Sequence, residues 1–132
     1  MEPLISLQIL NPDRTLEPGD TLRCESQLDA VEPEAIMEVE CSVLWYTDGK
    51  GDEDLGVHFF ERRVPADVPD GNLCRLHRFQ TVLPNSPLSY QGAIVRVRWC
   101  ARVRLFLRRG KESFFERPFT LGKQACPPPS DL

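Results

Sequence analysis

The sequence lacks every short signature of catalysis that can be recognised without coordinates. There is no GxSxG, no HExxH and no glycine-rich phosphate loop, and the scattered glycines fall in turns. Histidine is scarce. His58 and His77 are the only two, each inside a strand-like stretch and neither at triad or metal-ligand spacing from a Cys, Ser or Asp. The five cysteines, Cys24, Cys41, Cys74, Cys100 and Cys126, include no CxxC pair and are odd in number, which predicts reduced thiols packed as small apolar residues. No catalytic residue, metal centre or cofactor is therefore expected. No apolar run approaches the roughly 20 residues of a membrane helix, and the start, MEPLISLQIL, has neither the basic region nor the cleavage site of a signal peptide. The expectation is a cytoplasmic protein with no membrane insertion. A formal charge of -4 argues against nucleic acid as a partner, because such binders gain affinity from excess Lys and Arg.

A sustained 3.6-residue stripe is also missing, and period-two alternation takes its place throughout. In TLRCESQLDA, Leu22, Cys24, Ser26, Leu28 and Ala30 share one face and Arg23, Glu25, Gln27 and Asp29 the other. In IMEVECSVLWY the same rule sends Met37, Val39, Cys41, Val43 and Trp45 inward, and Glu38, Glu40 and Ser42 outward. Further strands are expected at 4–10, 57–64, 74–83, 93–109 and 113–121, separated by turn signals such as NPDR, EPGD and RGKE. The result is an all-β chain, a two-sheet antiparallel β-sandwich of about seven strands over residues 1–122, with a proline-rich, poorly ordered tail at 123–132. The run from Ala93 to Arg109 would stretch to about 60 Å, so a bulge or bend near Trp99, Cys100 and Ala101 is expected. Trp45 and Trp99 are expected to meet across the sandwich as core.

The candidate working surface is unusual for an acidic chain. Arg96, Arg98, Arg102, Arg104 and Arg108 alternate with apolar residues along one strand. One reading is a cross-strand charge ladder with Glu38, Glu40, Glu61 and Glu116. The other is a cationic strip for an acidic or phosphorylated partner protein, since guanidinium grips carboxylate and phosphate bidentately. Of Phe59, Phe60, Phe114, Phe115 and Phe119, adjacent pairs point to opposite sides of a strand, so some must be exposed. The candidate protein-binding residues are Arg96, Arg98, Arg102, Arg104, Phe60 and Phe106. An alternative is a small ligand- or ion-binding sandwich using the acidic loop 48–54, which holds Asp48, Asp52, Glu53 and Asp54 but lacks the ligand register of an EF-hand. Cys100, beside arginines, would be reactive only if they lowered its pKa.

Three segments, LEPGDTLRC, IMEVECSVLWYTDG and LPNSPLSYQGAIVRVRWCARVRLFL, resemble the arrestin-like superfamily. A Pro-Gly turn opens a strand there, and a Leu-Pro, Ser, aromatic, Gly segment, here Leu83, Pro84, Ser86, Ser89, Tyr90 and Gly92, leads into a long one. The resemblance spans most of residues 4–121 and implies an immunoglobulin-like sandwich acting as a non-catalytic scaffold or adaptor for another protein. Arrestins have two such domains and this chain has room for one, so receptor binding is not implied. A plain immunoglobulin or fibronectin-type sandwich also suits the strand pattern.

Overall fold

The computed structural model describes residues 2–51 and 53–122. The described residues form nine strands: β1 (Leu4–Ile9), β2 (Thr15–Leu16), β3 (Thr21–Asp29), β4 (Ile36–Gly49), β5 (Leu55–Arg63), β6 (His77–Val82), β7 (Tyr90–Gln91), β8 (Val95–Leu107) and β9 (Glu112–Leu121). Seven have six residues or more, and β2 and β7 are two-residue bridges. Single 3-10 turns at Pro33–Ala35 and Pro65–Asp67 are the helical content among the described residues. The expected tail at 123–132, with Cys126, lies outside the described residues.

The chain forms two sheets. The smaller has the order β1-β3-β6 and the larger β2-β9-β8-β4-β5, with β7 joining β8 where β9 ends. All pairings are antiparallel except β2 with β9. One buried cluster fills the space between them: Leu7 and Ile9 from β1, Leu22 and Cys24 from β3, Val39 and Val43 from β4, Val103 and Leu105 from β8, among others. Alternation explains β3, whose Leu22, Cys24, Ser26 and Leu28 are all buried while its intervening residues reach solvent. The two-sheet sandwich expected from the sequence is present.

Three expectations fail, and register explains each. Ile36, not Met37, is the buried residue at the start of β4, because the ladder to β8 shifts between Ile36 and Glu38 and leaves Met37 as an extra, 45% exposed residue. No register shift interrupts β8 at Trp99–Ala101. Its pairing with β4 runs unbroken from Glu38↔Phe106 to Gly49↔Val95, because β4 is long enough to match it. The irregularity sits in β5 instead, where Val43 pairs with Phe59 and Leu44 with Val57. His58 is the extra residue, and the bulge aims both His58 and Phe59 at the smaller sheet: His58 Nε2 lies 2.8 Å from the Val82 carbonyl and Phe59 stacks on Phe79 at 5.7 Å. Finally, Trp45 and Trp99 are direct partners on neighbouring strands of one sheet, not contacts across the core. Trp99, 1% exposed, packs against Phe119 and His58 and donates its indole N–H to the Pro87 carbonyl at 2.8 Å.

Candidate functional site

The outer face of the larger sheet is built by period-two alternation on four long strands. From β9 across β8 and β4 to β5, one row reads Glu116, Arg102, Ser42, Phe60 and the next Phe114, Arg104, Glu40, Arg62. Registers of this kind place opposite charges side by side. Arg102 Nε donates to Glu116 Oε2 at 2.6 Å, and Arg104 Nη2 to Glu112 Oε1 at 2.7 Å with Glu40 3.8 Å away. Arg98 Nε donates to Asp48 Oδ2 at 2.8 Å, and Arg62 grips both oxygens of Glu38 at 2.9 and 3.1 Å. Arg108 turns away and donates to the Glu34 carbonyl. A large part of the arginine row is thus a ladder. Glu116, Glu40 and Glu38 take part as the sequence pattern suggests, the last through Arg62 of β5.

Glu61 does not. It sits opposite Cys41 on the inward side and bonds His77 at 2.7 Å. The hydrogen bonds from Arg62 hold the Glu38 carboxyl below its ordinary range. Burial pushes Glu40 the other way, in spite of Arg104.

The ladder changes character at its upper end. Arg96, exposed on β8 beside Asp48, has no ion pair among the described residues. A hollow there is lined by Arg96 and Arg98 of β8 and by Arg14, with Tyr46 and Tyr90 at its sides and Trp99 in its wall. Among the described residues no carboxylate lines it. Arg14 arrives from the loop before β2, which is held in place because Thr120 of β9 donates to the Arg14 carbonyl at 2.8 Å and β2 runs parallel to β9. The β7 segment closes the other side, where Ser89 accepts from and donates to the backbone of Leu121. Arg14 escaped sequence reading: it is a single arginine in a turn, and only the parallel β2–β9 bridge carries it to the row.

The other candidates are dispersed. Phe60 is 54% exposed on β5, and Phe106 lies under the Arg104 guanidinium at 5.0 Å. Phe114, 61% exposed, stands below Arg102, whereas Phe115 and Phe119 turn to the core. In the acidic loop, Asp48 is committed to Arg98 and the Asp54 backbone bonds Thr47, while Asp52 lies outside the described residues. Cys100 is 2% exposed, and its thiol is pushed up to about 12 by burial and by Glu116, against the pull of Arg102. Reactivity through a lowered pKa is therefore overturned at this position. Among the described residues no helix is long and apolar enough to cross a membrane.

No protein-family model and no curated protein matches the chain. In three dimensions it is similar to Spo0M, a sporulation control protein from Bacillus subtilis, with a TM-score of 0.59 at 10% identity over 90% of this chain. The fold is arrestin-like. The chain spans 49% of the length of Spo0M, and at this identity the likeness concerns fold alone. A β-glucosidase from Listeria innocua, solved in complex with isofagomine, aligns over 91% of this chain and 16% of its own at 15% identity, but its TM-score of 0.40 supports no inference.

Proposed function

We propose that the chain is a non-catalytic protein-binding domain of arrestin-like type, an adaptor that docks an acidic segment of a partner protein in the hollow at the upper end of the arginine row. The observation that carries this reading is the lining itself. Three guanidiniums, from Arg14, Arg96 and Arg98, converge on a recess that no described carboxylate lines, while Arg62, Arg102 and Arg104 of the same face are neutralised. Arg14 and Arg96 have no ion pair among the described residues and are available to an incoming anion. Arg98 would exchange Asp48 for the ligand. Tyr46 and Tyr90 offer phenolic hydroxyls and ring faces, the mixture that suits a peptide better than a bare ion. Phe60 and Phe114 extend the contact surface along the same sheet face.

The test is a peptide array probed with the purified chain, comparing peptides rich in Asp and Glu, the same peptides with phosphoserine, and neutral counterparts. Anionic peptides should be retained and neutral ones not, with the affinity falling at least tenfold on Arg96→Glu and on Arg14→Glu. Arg23→Glu, on the exposed face of β3 in the other sheet, is the control and should change nothing. Equal loss with Arg23→Glu would reduce the effect to bulk charge, and no preference for anionic peptides would remove the reading. The phosphoserine arm separates a phosphate-requiring site from a general acidic one.

A further inference from the structure

Three side chains that chain position keeps apart are brought together at one corner of the sandwich. Cys41 of β4 faces inward and is fully buried; Glu61 of β5 is its direct cross-strand partner; His77 begins β6 in the opposite sheet. One ligand-type atom from each, the Cys41 sulfur, a Glu61 carboxylate oxygen and a His77 ring nitrogen, lies within 4.8 Å of the other two. We propose that Cys41, Glu61 and His77 form a binding site for a divalent cation of borderline softness, Zn2+ in particular, which staples the two sheets together.

The donor set selects the ion. Thiolate, imidazole and carboxylate together suit zinc, whereas magnesium and calcium favour oxygen donors. Three protein ligands leave a fourth position for water, and the corner is open enough for entry: the side chains of His77 and Glu61 are 20% and 39% exposed while Cys41 is sealed beneath them. In a tetrahedral centre with bonds of about 2.0–2.1 Å, the nitrogen and oxygen ligands stand roughly 3.4 Å apart. The His77–Glu61 contact of 2.7 Å therefore opens by less than an ångström to admit the ion.

The surroundings support the ligands. His77 is the cross-strand partner of the buried Ser26 and is stacked on Phe79 at 6.3 Å, which restrains its ring. Without an ion, burial and the Glu61 charge keep the Cys41 thiol up at about 12, although Arg63 acts in the opposite sense. A dication reverses both effects. On binding, the sulfur–hydrogen bond breaks heterolytically, the proton leaves to solvent and the sulfur lone pair enters the metal coordination sphere, with no change of oxidation state.

Cobalt(II) is the probe, because it accepts the same ligands and reports them optically. The full chain carrying Cys74→Ser and Cys126→Ser, which removes the half-buried thiol of Cys74 and the thiol outside the described residues, is stripped with chelator and titrated with Co2+. The expected result is saturation at one equivalent, a thiolate-to-cobalt charge-transfer band in the near ultraviolet, visible bands of a four-coordinate ion, and displacement by Zn2+. His77→Gln and Glu61→Gln, both at partly exposed positions that leave the fold intact, should weaken Zn2+ binding at least tenfold, and Cys41→Ser should abolish the charge-transfer band. A folded parent chain that gives no thiolate band overturns the site, as does a band that persists at unchanged affinity in folded His77→Gln.

Discussion

The strongest test of the outer-face ladder is the Arg102–Glu116 pair. Both side chains are about a quarter exposed, at 24% and 28%, and Arg102 Nε donates to Glu116 at 2.6 Å. Fully exposed pairs contribute only about 0.2–1 kcal/mol, whereas hydrogen bonds to charged groups reach about 1.5–3 kcal/mol. Partial burial places this pair between those ranges, with a coupling of about 1.5 kcal/mol. Arg102→Ala also loses the contact of the guanidinium with the Phe114 ring at 5.9 Å, so it should cost about 2 kcal/mol, Glu116→Ala about 1.5, and the double variant about 2. At roughly 4 °C per kcal/mol for a chain of this size, Arg102→Ala should lower Tm by about 8 °C. Urea unfolding of the four proteins, followed by tryptophan fluorescence, supplies the cycle. The charge swap Arg102→Glu with Glu116→Arg should recover most of the loss that Arg102→Glu causes alone. A coupling below about 0.3 kcal/mol, or a swap as unstable as the single reversal, would refute the ladder and return Arg102 to the pool of free cations.

Three other outcomes follow from the same geometry. Cys100 should resist alkylation in the native protein at pH 8 while Cys74 reacts; since its folded pKa of about 12 exceeds the unfolded value of 9.0, the unfolded chain ionises first. Stability should therefore fall as pH rises above 9, by roughly 1.4 kcal/mol per unit from this thiol, and Cys100→Ala should show a measurably shallower decline in alkaline melts. Trp99→Phe should cost about 2–3 kcal/mol in urea titrations, since it shrinks a fully buried ring and strands the Pro87 carbonyl; a loss under about 0.5 kcal/mol would deny that this bond anchors the β7 segment. Gly56→Ala would drive a Cβ into the Trp45 indole, forcing the ring aside at about 1–3 kcal/mol, and an unshifted Trp45 emission spectrum would show that the ring was not in the way.

Much of the fold is legible in the alternation because β3, β4 and β8 each bury one face against a single core, and a period of two then writes itself into residue choice. The ladder is legible for the same reason on the opposite face. What is not legible is register. One extra residue, Met37 or His58, reverses the facing of everything beyond it, and nothing local marks either as a bulge. That is why Glu61 was expected among the arginines and is found against Cys41. The hollow and the Cys41, Glu61, His77 corner are hidden more deeply still. Arg14 is more than 80 residues from Arg96, and the corner draws on three strands from two sheets, so only the closed topology makes neighbours of them.

The pairing of β4 with β8 also has a meaning in time. Ile36 meets Leu107 and Gly49 meets Val95, so the central ladder of the larger sheet joins segments some 46 to 71 residues apart. A ribosome adding about 5–20 residues per second finishes β4 several seconds before its partner exists. During that interval β5 can cover one edge of β4, but the edge that β8 will take is unpaired, the kind of template on which a neighbouring nascent copy could assemble. Glu40 is already in place then, and Arg104, which lies beside it in the finished sheet, is not yet made. Glu40 thus guards that edge of the growing chain by repelling its own kind, and β8 ends the guard when it brings the opposite charge.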